Sequence, residues 1–95
     1  MYDFNTNTGD FVFKNATEKV INPSYLALSK NQKVLYSVNE NGTESTISSF
    51  GLDGTTGQLT RLNQQKAQGA DPCYIALSPD QTNLLVANYS GGSIT

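Results

Sequence analysis

Apolar residues in this chain come in short runs that alternate or run on for a few positions, and helical spacing is sustained nowhere. The stretch from about Ser24 to Ser29 is the first such run, and Val34-Leu35-Tyr36-Ser37-Val38 is the second. Thr46 to Leu52 supplies a third and Leu59 to about Gln64 a fourth. Turn chemistry separates them: Lys30-Asn31-Gln32, Asn39-Glu40-Asn41-Gly42, Asp53-Gly54-Thr55-Thr56-Gly57 and Gly69-Ala70-Asp71-Pro72. Asn-Gly and Asp-Gly pairs supply the positive φ that tight hairpins require. The pattern predicts a four-stranded antiparallel unit.

That unit repeats. Asn22-Pro23-Ser24-Tyr25-Leu26-Ala27-Leu28-Ser29 aligns with Asp71-Pro72-Cys73-Tyr74-Ile75-Ala76-Leu77-Ser78 at an offset of 49, and the match runs on to Asn39/Asn88 with eight identities in eighteen positions. Tyr2-Asp3-Phe4-Asn5-Thr6-Asn7-Thr8-Gly9 aligns with Phe50-Gly51-Leu52-Asp53-Gly54-Thr55-Thr56-Gly57 at an offset of 48. A period near 49 falls in the range of propeller blades, about 40–50 residues. A β-sandwich uses the same hairpins, but it does not require successive four-strand units to resemble each other. The fold class expected is therefore all-β, a β-propeller of which the chain holds about two four-stranded antiparallel blades. On this register residues 1–21 end one blade, 22–69 form a complete blade, and 70–95 begin the next. A propeller closes with four to eight blades, so the chain is expected to be a fragment whose partners include the remaining blades.

Composition agrees with short strands and tight turns. Of 95 residues only 15% are charged, and Trp and His are absent. A net charge of −2 gives no electrostatic reason to expect nucleic acid or an anionic membrane as partner. Cys73 is the only cysteine, which excludes an intrachain disulfide and a thiolate metal cluster. It reads as a small buried hydrophobe on an innermost strand. No run approaches the roughly 18 apolar residues of a membrane span. Met1-Tyr2-Asp3-Phe4 carries neither a basic segment nor an apolar run, so no secretion signal is visible and the cytoplasm is the expected compartment. Three Asn-X-Ser/Thr sequences, at Asn15, Asn41 and Asn88, are read as chance in so Asn- and Thr-rich a chain.

Several phrases look like the early blades of the lactonase propeller family, whose type activity is that of 6-phosphogluconolactonase. They are Asn22 to Ser29, Tyr36-Ser37-Val38-Asn39-Glu40, Asp71-Pro72-Cys73-Tyr74 and Leu84-Leu85-Val86-Ala87-Asn88-Tyr89-Ser90-Gly91-Gly92-Ser93. Phe4-Asn5-Thr6-Asn7-Thr8-Gly9 resembles the family's phrase of an aromatic residue, Asp or Asn, a few variable positions and Thr-Gly. The stretch 87–93 is the most specific, whereas Ser78-Pro79-Asp80 occurs in many unrelated propellers. The resemblance covers essentially the whole chain. It implies a seven-bladed propeller that hydrolyses a sugar-acid lactone of the 6-phosphogluconolactone type; no cofactor is assigned. A sister branch cyclises carboxymuconate, and a non-catalytic binding propeller is the reading from a different class. Two departures stand out: Tyr74 lies where relatives often carry His after Pro-Cys, and Gln32 and Thr82 replace Gly after the turn residues.

In antiparallel blades successive hairpins alternate ends. One rim therefore gathers Asn22-Pro23, Asn39 to Gly42, Asp71-Pro72 and Asn88 to Gly92. The other holds Lys30-Asn31-Gln32, Asp53-Gly54 and Pro79-Asp80-Gln81. The first is the better ligand rim, because amides, a carboxylate and a phenol occur there together. Lactone hydrolysis needs a base or polarised water at the acyl carbon and donors for the oxyanion, and a phosphorylated substrate wants an Arg or Lys clamp. With no His and with the single Arg61 on an outermost strand, no catalytic residue is assigned here, and the resemblance implies that the catalytic blades lie downstream. Asn39, Glu40, Asn88 and Tyr89 are the candidate substrate-binding residues. Each has a plainer role beside it: a solvated carboxylate for Glu40, turn capping for the asparagines, inter-blade packing for Tyr89.

Overall fold

The computed structural model describes residues 1–95. Nine strands are present: β1 (Tyr2–Phe4), β2 (Phe11–Phe13), β3 (Pro23–Leu28), β4 (Val34–Asn39), β5 (Thr46–Leu52), β6 (Leu59–Lys66), β7 (Pro72–Leu77), β8 (Leu84–Asn88) and β9 (Ser93–Ile94). The one helical element is a single 3-10 turn, Gly42–Glu44, inside a loop. No helix is long and apolar enough to cross a membrane. The strands form three antiparallel sheets, β1-β2, β3-β4-β5-β6 and β7-β8-β9, each a simple meander.

Each hairpin type is built by the same chemistry wherever it recurs. Between β1 and β2, Asn5 Oδ1 accepts from the backbone N–H groups of Asn7 and Thr8 at 2.9 and 3.2 Å, and Gly9 closes the turn at φ 79°. Between β5 and β6, Asp53 Oδ1 accepts from Thr55 and Thr56 at 2.8 and 2.9 Å, and Gly57 takes φ 71°. Such Asx turns let a short side chain satisfy backbone donors that the strands leave behind. Between β3 and β4 the Ser29 hydroxyl bonds Asn31 Oδ1 and receives the Val34 N–H; between β7 and β8 Ser78, Asp80 and Asn83 repeat the arrangement.

The left-handed residue in the latter turns is Gln32 (φ 57°) in one and Gln81 (φ 62°) in the other. The position expected to replace the second glycine, Thr82, is not left-handed; the strained residue is Gln81, one earlier. A non-glycine residue there costs on the order of 1–2 kcal/mol. Gln81 offsets part of it across sheets, its Oε1 accepting from the Lys30 N–H at 2.9 Å.

The core lies between the second and third sheets. Val38, Ile75 and Val86 are at most 1% exposed and pack with Ala27, Tyr36, Ile47 and Leu84. Register explains the set: Val38 pairs with Tyr25 on one side and Ile47 on the other, and Ile75 pairs with Val86, so each row points one way. Burying each such side chain stabilises by about 1.5–3 kcal/mol. β3 and β4 both pack against β7, so the two sheets converge at their first strands. The propeller axis therefore lies on the β3/β7 side, and β6 is outermost.

Both first strands begin with a bulge: the ladder slips between Pro23 and Tyr25 and between Pro72 and Tyr74, which leaves Ser24 and Cys73 unpaired. This corrects the expectation for Cys73. It is exposed, not buried, because the bulge takes it out of the alternation that would have pointed it at the core.

Candidate functional site at the rim of the sheets

The loops that end strands two and four meet on one rim, as hairpin alternation requires. The Glu40 N–H donates to the Asn22 carbonyl at 3.0 Å, and one repeat later the Tyr89 N–H donates to the Asp71 carbonyl at 2.9 Å. Asn22 and Asp71 both adopt positive φ, 41° and 50°. Their chemistry then diverges. The Asn22 amide returns a hydrogen bond to the Glu40 carbonyl at 3.1 Å, within its own loop pair. Asp71 has no donor to offer. Its Oδ1 accepts from the Gly42 N–H at 2.8 Å and so joins the third sheet to the 3-10 turn of the second. Gly91 N–H adds a bond to the Ala70 carbonyl at 3.2 Å.

Asn39 and Asn88 hold equivalent places at the ends of β4 and β8, and both are buried. Asn39 Nδ2 donates to Thr46 Oγ1 at 3.0 Å and Ser48 Oγ at 2.8 Å, while its Oδ1 accepts from the Ser37 hydroxyl at 2.9 Å. Asn88 Nδ2 donates to Thr95 Oγ1 at 2.7 Å and Ser93 Oγ at 3.3 Å. Thr46 and Thr95 are themselves one repeat apart. The amide thus clamps the second strand of each sheet to the third. Asn88 Oδ1 is buried without a partner, because Val86 stands where Ser37 supplies the hydroxyl in the preceding repeat. Val86 fills the core instead.

The two asparagines are therefore turned into the sheet, and the residue after each is turned outward. Glu40 is half-buried at the rim and Tyr89 is 82% exposed. The structure brings Glu40 and Tyr89 to the same rim at the same blade position. The hydroxyls of Ser37, Ser48, Thr46 and Thr95 were missed as part of this construction. The recurrence of threonine at the offset of the asparagines was the available signal.

Lys66 reaches this rim with its Nζ 3.3 Å from Glu44, and Lys19 lies three residues before Asn22. Arg61 sits on β6, paired with Glu18 at 2.9 Å. No three His, Cys, Asp or Glu side chains converge as a metal site would require. The rim offers hydrogen-bond acceptors, a phenol and backbone N–H groups, a set suited to a polyhydroxylated ligand.

Comparison with known proteins bears on the fold. Residues 1–95 match the family described as lactonase, 7-bladed beta-propeller. The chain is 35% identical over 97 residues to 6-phosphogluconolactonase of Formosa agariphila and 33% identical over 76 residues to that of Bacillus subtilis. These alignments take in 100% and 80% of the chain but 28% and 22% of the relatives. Among solved structures, a Bacteroides fragilis protein provisionally assigned as a 6-phosphogluconolactonase superposes with a TM-score of 0.90 at 45% identity, covering 99% of this chain and 26% of the other. The periplasmic gluconolactonase of Pseudomonas aeruginosa gives 0.86 at 32% identity, covering 92% and 26%. The chain spans about a quarter of the length of the proteins it matches.

Proposed function

The chain belongs to the lactonase family of seven-bladed β-propellers, and from that premise we propose that it is part of an enzyme hydrolysing a sugar-acid lactone of the 6-phosphogluconolactone type. The carrying observation is the match to proteins named for that activity, at 35% identity along the whole chain and 33% along 80% of it. Blades beyond the chain complete the propeller in this reading and bring the catalytic groups. The apolar side chains left exposed on β1 and β2 support it, since a packed neighbour is what such a face requires.

Within the chain, Glu40 and Tyr89 are the substrate-facing residues, hydrogen-bonding sugar hydroxyls at the rim. Asn39 and Asn88 serve binding by aiming them. With its amide committed to the third strand, each asparagine fixes the end of the second strand and hence the direction of the residue that follows. Water attacks the acyl carbon, the ring C–O bond breaks, and the proton lost by water ends on the released hydroxyl. Cytoplasmic residence belongs to the same proposal, and cell fractionation tests it; a periplasmic pool would overturn it.

The test is hydrolysis of 6-phosphogluconolactone by the protein of the complete reading frame, followed as acid release against the spontaneous rate, with carboxymuconate assayed in parallel. Saturable hydrolysis of the lactone is expected. No rate above the spontaneous one, or turnover of the muconate alone, defeats the reading.

A further inference from the structure

We infer that Tyr25 and Tyr74 form the wall against which the substrate's sugar ring stacks, an assignment that rests on the lactone reading and adds a specificity-determining pair to it. The two rings stand with centroids 4.7 Å apart and planes at 49°. They hold the same position one repeat apart, on β3 and β7, the strands nearest the axis. Each follows a bulge residue, Ser24 or Cys73, and bulges recur where a side chain must be re-aimed toward a site. Two consecutive blades thus carry the same device in front of the same residue type.

Exposure separates a wall from ordinary packing. Tyr25 points to the side that the third sheet covers: it pairs across the ladder with fully buried Val38, and its ring reaches Tyr74. With that neighbour in place it is still 41% exposed. The third sheet already occupies that side of β3, an innermost strand, so further blades pack on other faces and the surface left on Tyr25 is assigned to the axis. An aromatic face with a phenolic tip suits a ring that has apolar C–H edges and hydroxyls. The cations of the middle sheet lie elsewhere, Arg61 and Lys66 on β6 and Lys30 and Lys33 at the opposite turn. Neither β3 nor β7 carries a cation, so the pair itself reads the sugar ring.

The experiment compares wild type, Tyr74→Phe, Tyr74→Leu and Tyr74→Ala in the complete protein, on 6-phosphogluconolactone and on unphosphorylated gluconolactone. Tyr74→Ala is expected to raise KM about tenfold for both lactones, with kcat changed by less than about twofold. Tyr74→Phe, which keeps the ring face, should stay within about twofold of wild type. Tyr74→Leu keeps apolar bulk and controls for packing: it is expected to bind as poorly as alanine while melting at the wild-type temperature. An unchanged KM in Tyr74→Ala and Tyr74→Leu overturns the assignment, as does a loss confined to the phosphorylated lactone. A wild type inactive on both lactones would defeat the lactone reading itself. Quenching of tyrosine fluorescence by gluconolactone then decides the wall: weaker binding by Tyr74→Ala than by wild type supports it, and equal binding sinks it.

Discussion

Residues 1–95 produced alone should not behave as a stable monomer, and the surface of the structure says by how much. A folded monomer of this mass exposes about 5,350 Å² by the usual scaling, whereas the chain exposes 6403 Å². The excess, about 1,000 Å², exceeds one partner's ~800 Å² share of an ordinary protein interface. The Cα radius of gyration of 14.3 Å likewise exceeds the ~12.4 Å expected for this length. Much of the excess is aromatic: Tyr2, Phe4, Phe11 and Phe13 lie on one face of the β1-β2 hairpin, paired as Tyr2/Phe13 and Phe4/Phe11, and are 56–70% exposed. If half of the excess is carbon, keeping it wet forfeits on the order of 10 kcal/mol at ~25 cal/mol/Å². That rivals the whole net stability of a domain, about 5–15 kcal/mol. Sedimentation at rising concentration should show self-association or an expanded chain, and circular dichroism a broad thermal transition. Replacing the exposed pair, Phe11→Lys with Phe13→Lys, should reduce the association. A concentration-independent monomer with a sharp cooperative melt would refute the reasoning.

Three further outcomes follow from the site and the turns, each measured as a urea midpoint of the complete protein. Asn39→Ala removes three side-chain hydrogen bonds, those with Ser37, Thr46 and Ser48, and should cost about 2 kcal/mol, since each hydroxyl keeps a second partner in Gln64 or the Val38 carbonyl; Asn88→Ala, whose Oδ1 has no partner to lose, should cost less, and the reverse order would discredit the clamp. Gly69→Ala places a Cβ on the Asn88 amide and should destabilise by about 1–3 kcal/mol, while Gly54→Ala, with open space around it, should change little. The Asp53 carboxylate is held below its ordinary 3.8 chiefly by the Thr56 backbone N–H and then by that of Thr55, and Asp80 by the Ser78 hydroxyl and then the Thr82 N–H. A depressed folded value stabilises above 3.8 and loses that contribution as pH falls through the lower value, so Asp53→Asn should lower stability slightly at neutral pH, leave the acid end unchanged and so flatten the acid loss. Asn5 fills the equivalent turn without a charge, which makes asparagine a fair replacement.

Strand positions, turn types and the recurrence of the unit were all readable along the chain, because they depend on interactions between residues close in sequence. Alternation sets the faces of β3 to β6, and Asn5, Asp53, Ser29 and Ser78 each build a turn from within about five residues. The same locality explains what was misread. Cys73 loses its expected burial because a bulge, detectable only against the partner strand β8, shifts its direction. Gln81, not Thr82, takes the left-handed angle, and its side chain bonds Lys30 of another sheet. Asn39 and Asn88 stood out as a repeated pair, but a period cannot tell an amide that faces a ligand from one that clamps its own sheet. That direction follows from where Thr46, Ser48 and Thr95 arrive across the ladder. The approach of Tyr25 to Tyr74, and the link from Asp71 to Gly42, likewise exist only because two sheets converge at their first strands. Short-range hydrogen bonding and alternation write the blade into the sequence; what its rim and inner edge present is decided by contacts between residues far apart in the chain.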